Sequence, residues 1–163
     1  MNGFVPALVA VLLAEWGPRA ALIWQGPQRE RSLWGVAALV FAAGAAGTLV
    51  GPMLTGWAEA LMVGIALIFA AIGQLQRVKP VTATWRRLWT FWSGGTPLIV
   101  FALAAPFGAL AASFGALAGL GLAVALTLGA FDAKIGERPL RLASALILFV
   151  VGAGAAVGGL RLV

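Results

Sequence analysis

The chain has 163 residues, of which 62% are hydrophobic and only 10% are charged, and its mean hydropathy is +1.02. Because a soluble domain carries about a quarter charged residues, this composition is typical of a chain that resides in a lipid bilayer. The sequence contains no cysteine and no histidine, which excludes disulfides, thiolate chemistry, imidazole metal ligands and histidine proton relays.

The formal charge of +6 does not indicate a nucleic-acid partner. The basic residues lie in short connections between apolar runs and leave no extended polar face for a duplex. Anionic lipid headgroups are therefore the expected partner. The N-terminal segment lacks the basic start and the cleavage site of a secretory signal, so we interpret it as a retained first helix.

Six segments are long and apolar enough to cross about 30 Å of hydrocarbon, a distance that takes roughly 20 helical residues. They cover residues 4–24, 33–50, 57–75, 92–112, 114–131 and 140–160. The division between the fourth and fifth segments falls in the short stretch AASFG. The sequence therefore predicts an all-α integral membrane protein that forms a single membrane domain.

The connection at residues 76–91 divides the chain into two halves, 4–75 and 92–160, with three predicted spans each. An odd number of spans per half makes the second half enter the membrane from the opposite side, so related halves form an inverted repeat. The halves do resemble each other, since LLAEWGPRAALI aligns with LAAPFGALAASF and places Glu15 on Pro106 and Gly17 on Gly108. Glycines spaced four residues apart, at 47 and 51, 115 and 119, and 154 and 158, predict close contacts between helices.

The basic residues predict the orientation, because lysine and arginine are retained on the cytoplasmic side of short loops. They follow the first, third and fifth predicted spans, at Arg29, Arg31, Arg77, Lys79, Arg86, Arg87, Lys134, Arg138 and Arg141. Both termini are therefore expected outside. Minimal loops and a preference for arginine over lysine suit a bacterial inner membrane.

The first predicted span contains groups that a simple anchor does not need. Pro18 has no amide hydrogen, so the carbonyl of Ala14 loses its helical partner, and Gly17 softens the helix further. In hydrocarbon, protein or water must satisfy such freed backbone groups, so the break is expected to face the bundle interior or a wet cavity. Glu15 lies one helical turn before Arg19, a spacing that brings the two charges onto one face.

An ionised side chain at mid-membrane costs about 2.5 to 3.5 kcal/mol, and such residues are usually functional. The functional interpretation is that Glu15 is a cation or proton site at the repeat interface, with Arg19 as its counter-charge. The alternative interpretation is a self-neutralising pair beside a proline kink that only shapes the packing.

The predicted layout and the pattern Glu-x-Gly-x-Arg in the first span resemble the Gdt family, the Golgi and bacterial cation/proton exchangers for manganese and calcium. The signature of that family is Glu-x-Gly-Asp-Lys/Arg-Ser/Thr, once in each half. Glu15, Gly17 and Arg19 match it, while Pro18 and Ala20 depart from it. The segment IGERPLRLASALILFVVGAG is similar to the last connection and helix of the family.

In the second half only Gly108 keeps the signature, and Pro106 stands where the family has glutamate. The resemblance implies a cation/proton exchanger in which Glu15 binds the proton or the metal ion and Arg19 modulates it. Gly17 and Pro18 would form one helix break at the repeat interface, and Pro106 with Gly108 the other. No resident cofactor is implied, because manganese or calcium would be the cargo.

The loss of acidic residues from the family signature affects metal binding. Calcium takes six to eight oxygen ligands, and manganese also prefers carboxylate, carbonyl and water. Glu15 and Arg19 sum to zero charge. A divalent site would therefore need Arg19 to move away, freed backbone carbonyls to take part, or a homodimer to bring two copies of Glu15 together. Proton exchange at Glu15 alone is easier, because a buried carboxyl can exchange protons near neutral pH.

Two other functions stay open. One is a non-transporting scaffold or partner subunit that has kept the fold and lost the ion site. The other is an exporter of an anion or an amino acid, because the N-terminal ends of half-helices favour negative groups. An enzyme is not expected, since the sequence has no nucleophile and base pair, phosphate loop or metal cluster.

Overall fold

The computed structural model of the chain describes residues 3–16, 29–76, 84–129 and 137–161. Helices make up 93% of these residues and no strand occurs among them, so the predicted all-helical class is confirmed for this part of the chain. The α-helices in chain order are α1 (Phe4–Glu15), α2 (Arg29–Val50), α3 (Gly56–Leu75), α4 (Thr84–Ser93), α5 (Thr96–Phe107), α6 (Ala109–Gly129) and α7 (Glu137–Leu160). A short 3₁₀ turn, Gly51–Met53, follows α2.

Four of these helices are long and apolar enough to cross a membrane, namely α2, α3, α6 and α7. Their apolar spans have 22, 20, 19 and 23 residues. Helices α1 and α5 are also apolar but have only 12 residues each, which is about 18 Å at 1.5 Å per residue. The described part of the chain is therefore compatible with a membrane protein that combines long and short helices.

The predicted boundary between the fourth and fifth spans is wrong. Helix α6 runs unbroken through the stretch AASFG, because alanine and the buried Ser113 are compatible with a helix. The break lies instead at Gly108, where φ is +90°. Glycine adopts this left-handed conformation at little cost, so it separates α5 from α6 within a single residue.

The first predicted span ends its helix earlier than expected. Trp16 leaves the helical conformation with φ −59° and ψ 131°, so α1 stops at Glu15. The rest of that predicted span, from residue 17 onward, lies outside the described residues.

Helices α1 and α6 pack side by side and run in the same direction. Gly115 and Gly119 of α6 lie against the main-chain oxygens of Phe4 and Leu8 in α1, and a Cβ at either glycine would come within 2.3 Å of the facing oxygen. Only a missing side chain allows so close an approach of two backbones. The predicted contact at this glycine pair is confirmed.

Helices α2 and α5 pack in the same manner. Gly47 and Gly51, at the end of α2, lie against the main-chain oxygens of Phe101 and Ala105 in α5, and a Cβ at these glycines would be 2.2 and 2.5 Å from the facing oxygens. This predicted glycine contact is also confirmed, and it fixes α2 and α5 as parallel neighbours.

Helices α3 and α7 are antiparallel and make the most extensive contact in the bundle. Gly64 and Gly152 face each other, since a Cβ on either would lie within 2.8 Å of the main-chain oxygen of the other. The predicted pair Gly154 and Gly158 is not part of this contact, because both face open space among the described residues. That prediction is wrong because the helix turns Gly152 toward α3 instead.

One end of the bundle, here called the basic end, is where α2 begins at Arg29 and where Arg138 and Arg141 open α7. Helices α1, α3 and α6 run toward this end, and α2, α5 and α7 run away from it. The last residue of α1, the last turn of α3 and the first residue of α5 therefore meet there.

Candidate functional site

Glu15 is the last residue of α1, and its side chain is completely buried, with 0% of its surface exposed. Thr96, which is also 0% exposed, donates a hydrogen bond from its hydroxyl to Oε1 of Glu15. A carboxyl inside an apolar bundle is costly unless it is hydrogen-bonded, so this contact matters for the site. The burial fits the expectation that this end of α1 faces the bundle interior.

The backbone around Gly95 places Thr96 beside Glu15. Gly95 has φ +86°, and a Cβ there would lie 2.9 Å from Cα of Ala70 in α3. Glycine therefore allows the turn after α4 to pass closely over α3 and to begin α5 at Thr96. Pro97 follows in the first turn, where its fixed φ suits a helix start.

The N-terminal end of α5 adds an electrostatic effect. Peptide dipoles give the start of a helix a partial positive charge, which stabilises an anion in the first turn. Because Thr96 is the first residue of α5 and contacts Glu15, the carboxyl lies beside this positive end.

A side chain from α3 caps the other helix end at the site. Gln74 is 2% exposed, and its Nε2 donates to the main-chain oxygens of Leu13, at 2.8 Å, and Ala14, at 2.5 Å. The last carbonyls of a helix have no partner within the helix, and Pro18 would in any case supply no amide to Ala14. The expectation that protein or water satisfies the carbonyl of Ala14 is confirmed, and the group that does so is Gln74.

Arg141 holds the end of α3 from the neighbouring helix α7. Its guanidinium donates to the main-chain oxygen of Gln74, from Nε at 3.0 Å and from Nη2 at 2.5 Å, and to that of Gln76 at 2.8 Å. A positive charge is favourable at a helix C-terminus, where the carbonyls carry partial negative charge. Arg141, which from the sequence predicted only the orientation, is thus a helical residue that binds backbone.

Three elements therefore converge on Glu15: the carbonyl end of α1, the amide end of α5 and the end of α3. The oxygen atoms nearby are the carboxyl group, the Thr96 hydroxyl and the carbonyls of Leu13 and Ala14. The C-terminal ends of broken helices bind cations in some transporters, but here Gln74 already donates to the carbonyls of Leu13 and Ala14. Among the described residues there is no group of three or more acidic, histidine or cysteine side chains that could hold a metal ion.

Three of the site residues expected from the sequence, Gly17, Pro18 and Arg19, lie outside the described residues. The pairing of Arg19 with Glu15 therefore stays a prediction. So does the first of the two helix breaks, although α1 does end immediately before it.

The other two, Pro106 and Gly108, lie at the far end of α5. Thr96 and Pro106 are separated by about 15 Å along the helix at 1.5 Å per residue. Gly3, at the start of α1, lies against Phe107, so this region contacts the opposite end of α1 from Glu15. The structure brings Glu15 together with Thr96 and not with Pro106.

The contacts of Gln74, Thr96 and Arg141 were not predicted from the sequence, although the first two residues leave a signal. Gln74 is an amide within an otherwise apolar stretch, IALIFAAIGQL, and Thr96 stands in GGTP, a pattern typical of a helix start. A buried amide needs partners, which marks Gln74 as a residue with a specific contact.

Comparison of the chain with known protein families, with curated proteins and with solved structures finds no match. The feature of the structure that bears on function is therefore the Glu15 site.

Proposed function

We propose that the chain is a membrane transporter that exchanges a cation, manganese or calcium, for a proton, and that Glu15 is the carboxyl that binds both in turn. The observation that supports this most is the complete burial of Glu15 at the end of a short helix in an apolar bundle. Acids within membranes are rare and usually mark ion or proton pathways, because burying them is expensive. The match of Glu15, Gly17 and Arg19 to the Gdt signature favours the same ions.

The groups around Glu15 suit both partners of such an exchange. A hydroxyl is both donor and acceptor, so Thr96 can bond either the carboxylate or the protonated acid. Once the proton has left, the carboxylate and the Thr96 oxygen are hard oxygen ligands of the kind that calcium and manganese prefer.

We infer six membrane segments in two inverted repeats of three helices, α1 to α3 and α5 to α7. The helix contacts support this, since α1 packs on α6, α5 packs on α2, and α3 and α7 pack on each other. Exchanging the two halves leaves that pattern unchanged, as a two-fold axis in the membrane plane requires.

We place the basic end at the cytoplasmic face of a bacterial inner membrane, with both termini outside, because basic residues are retained on that side. Anionic lipid headgroups are then the partners at this face. Trp89 and Trp92 of α4 are exposed, which suits a helix lying at the level of the headgroups.

Reconstituted proteoliposomes test the exchange. A gradient of manganese or calcium is expected to drive proton flux through the wild-type chain, reported by a trapped pH-sensitive dye, and Glu15→Gln is expected to abolish it. Glu59→Gln is the matched control, because Glu59 lies in the first turn of α3 and is only partly buried. Equal flux in wild type and Glu15→Gln, or no flux in either, would contradict the proposal.

Two alternatives remain, each with one favouring observation. The absence of a cluster of acids among the described residues favours a non-transporting scaffold or partner subunit. Co-purification of a stoichiometric partner together with zero ion flux would support it. The positive end of α5 beside the site favours an exporter of an anion or amino acid, which predicts thermal stabilisation by carboxylates and not by metals.

A further inference from the structure

We infer that Gln74 is the positioning residue of the Glu15 site: its amide holds the end of α1 that carries Glu15, and Arg141 holds Gln74 in turn. The inference rests on the proposed function only in taking Glu15 as the carboxyl that binds the proton and the cation. The contacts that carry it come from three different helices.

The side-chain amide of Gln74 binds the backbone at the end of α1. Its nitrogen is buried and donates to two carbonyls of another helix, Leu13 and Ala14. These are the two residues immediately before Glu15. The direction in which the Glu15 side chain leaves the helix is therefore set by the stretch of backbone that Gln74 holds.

Helix α3 packs much more extensively against α7 than against α1. In addition, Arg141 of α7 binds two main-chain oxygens at the end of α3. Helices α3 and α7 are thus held together by packing and by the hydrogen bonds of Arg141. The side chain of Gln74 connects this pair of helices to the end of α1 by hydrogen bonds.

Removal of the Gln74 amide would disturb the end of α1. Both carbonyls would then lose the donor that Gln74 supplies, and unsatisfied carbonyls are costly in apolar surroundings. This end of α1 must open or shift to find new donors, and the contact between Glu15 and Thr96 must change with it. Glu15 would then become accessible to reagents that reach the bundle interior poorly.

The test is the rate at which a water-soluble carbodiimide modifies Glu15 in liposomes, measured by mass spectrometry. Gln74→Met keeps the length of the side chain and removes the donor. Gln76→Met is the matched control, since its side chain is exposed and Arg141 binds only its main-chain oxygen. We expect labelling to rise about fivefold in Gln74→Met, the population change that one net hydrogen bond supports, and to stay unchanged in the control.

A conservative variant separates positioning from a general loss of stability. The side chain in Gln74→Glu has the same shape but donates only when it is protonated. Relative to wild type at the same pH, its labelling is therefore expected to be normal in acid and to rise in alkali. Unchanged labelling in folded Gln74→Met would overturn the inference, and if that variant does not fold, equal relative rates for Gln74→Glu at both pH values would do so.

This readout distinguishes the inference from the proposed function, because carbodiimide labelling does not require transport. If the wild-type chain carries no ion but Gln74→Met is labelled faster than wild type, the positioning role of Gln74 is supported and the proposed exchange is contradicted. If flux depends on Glu15 but the labelling of Glu15 is the same in Gln74→Met and wild type, the proposed exchange is supported and the positioning role is contradicted.

Discussion

Gly95→Ala is predicted to be a strongly destabilising methyl addition next to the Glu15 site. The residue has φ +86°, a conformation that costs an L-amino acid about 1–2 kcal/mol. The new Cβ would also lie 2.9 Å from Cα and 3.1 Å from Cβ of Ala70, which is fully buried in α3. Overpacking of this kind costs about 1–3 kcal/mol, so the two effects together give about 2–5 kcal/mol.

Substitutions at three other glycines measure the cost of the positive φ and the cost of the close Cβ contact separately. Gly108→Ala has φ +90° and ψ 148°, a combination found almost only in glycine, but open space around it, so it should cost only the backbone share of about 1–3 kcal/mol. Gly119→Ala has a helical backbone but places a Cβ 2.3 Å from the oxygen of Leu8, so only the contact is tested. Gly154→Ala has neither problem and should be neutral or stabilising, because alanine is the better helix former.

The assay is reversible unfolding in mixed micelles, followed by tryptophan fluorescence, with all four variants compared with wild type. Gly95→Ala is expected to lose more stability than Gly108→Ala, and Gly154→Ala is expected to lose none. Gly95→Ala as stable as wild type, or no less stable than Gly108→Ala, would refute the close approach of the turn to Ala70.

Three further predictions concern the site, the packing and the orientation. Thr96→Val should lower proton flux about tenfold or more, because a hydrogen bond to a charged group contributes about 1.5–3 kcal/mol, whereas Thr96→Ser should retain flux. Gly44→Ala places a Cβ 2.4 Å from Oγ of Ser113; it should cost about 1–3 kcal/mol in unfolding measurements, and adding Ser113→Ala should restore part of the loss. Thr55→Cys should react with an impermeant maleimide in intact cells and Gln76→Cys should not; the reverse result would invert the orientation.

The end of α1 could be predicted from the sequence because each residue there is locally costly. A carboxyl, a proline and a glycine within an apolar run conflict with an unbroken span, and no distant part of the chain is needed to recognise that. The fully buried Glu15 and the capped carbonyl of Ala14 are the results of this local conflict.

The partners of Glu15 could not be predicted in this way, because they come from distant parts of the chain. Thr96 is 81 residues from Glu15, and Gln74 is 60 residues from Ala14. Such contacts depend on how the helices pack, and a pattern of apolar residues says only that a helix is buried.

Infrared difference spectroscopy tests most directly whether Glu15 exchanges a proton for a cation. Addition of manganese or calcium to the reconstituted wild-type chain is predicted to remove the band of a protonated carboxyl and to release a proton to the medium. Glu15→Gln should show neither change. A carboxyl band that responds to the cation in Glu15→Gln, or that does not respond in wild type, would contradict the role of Glu15.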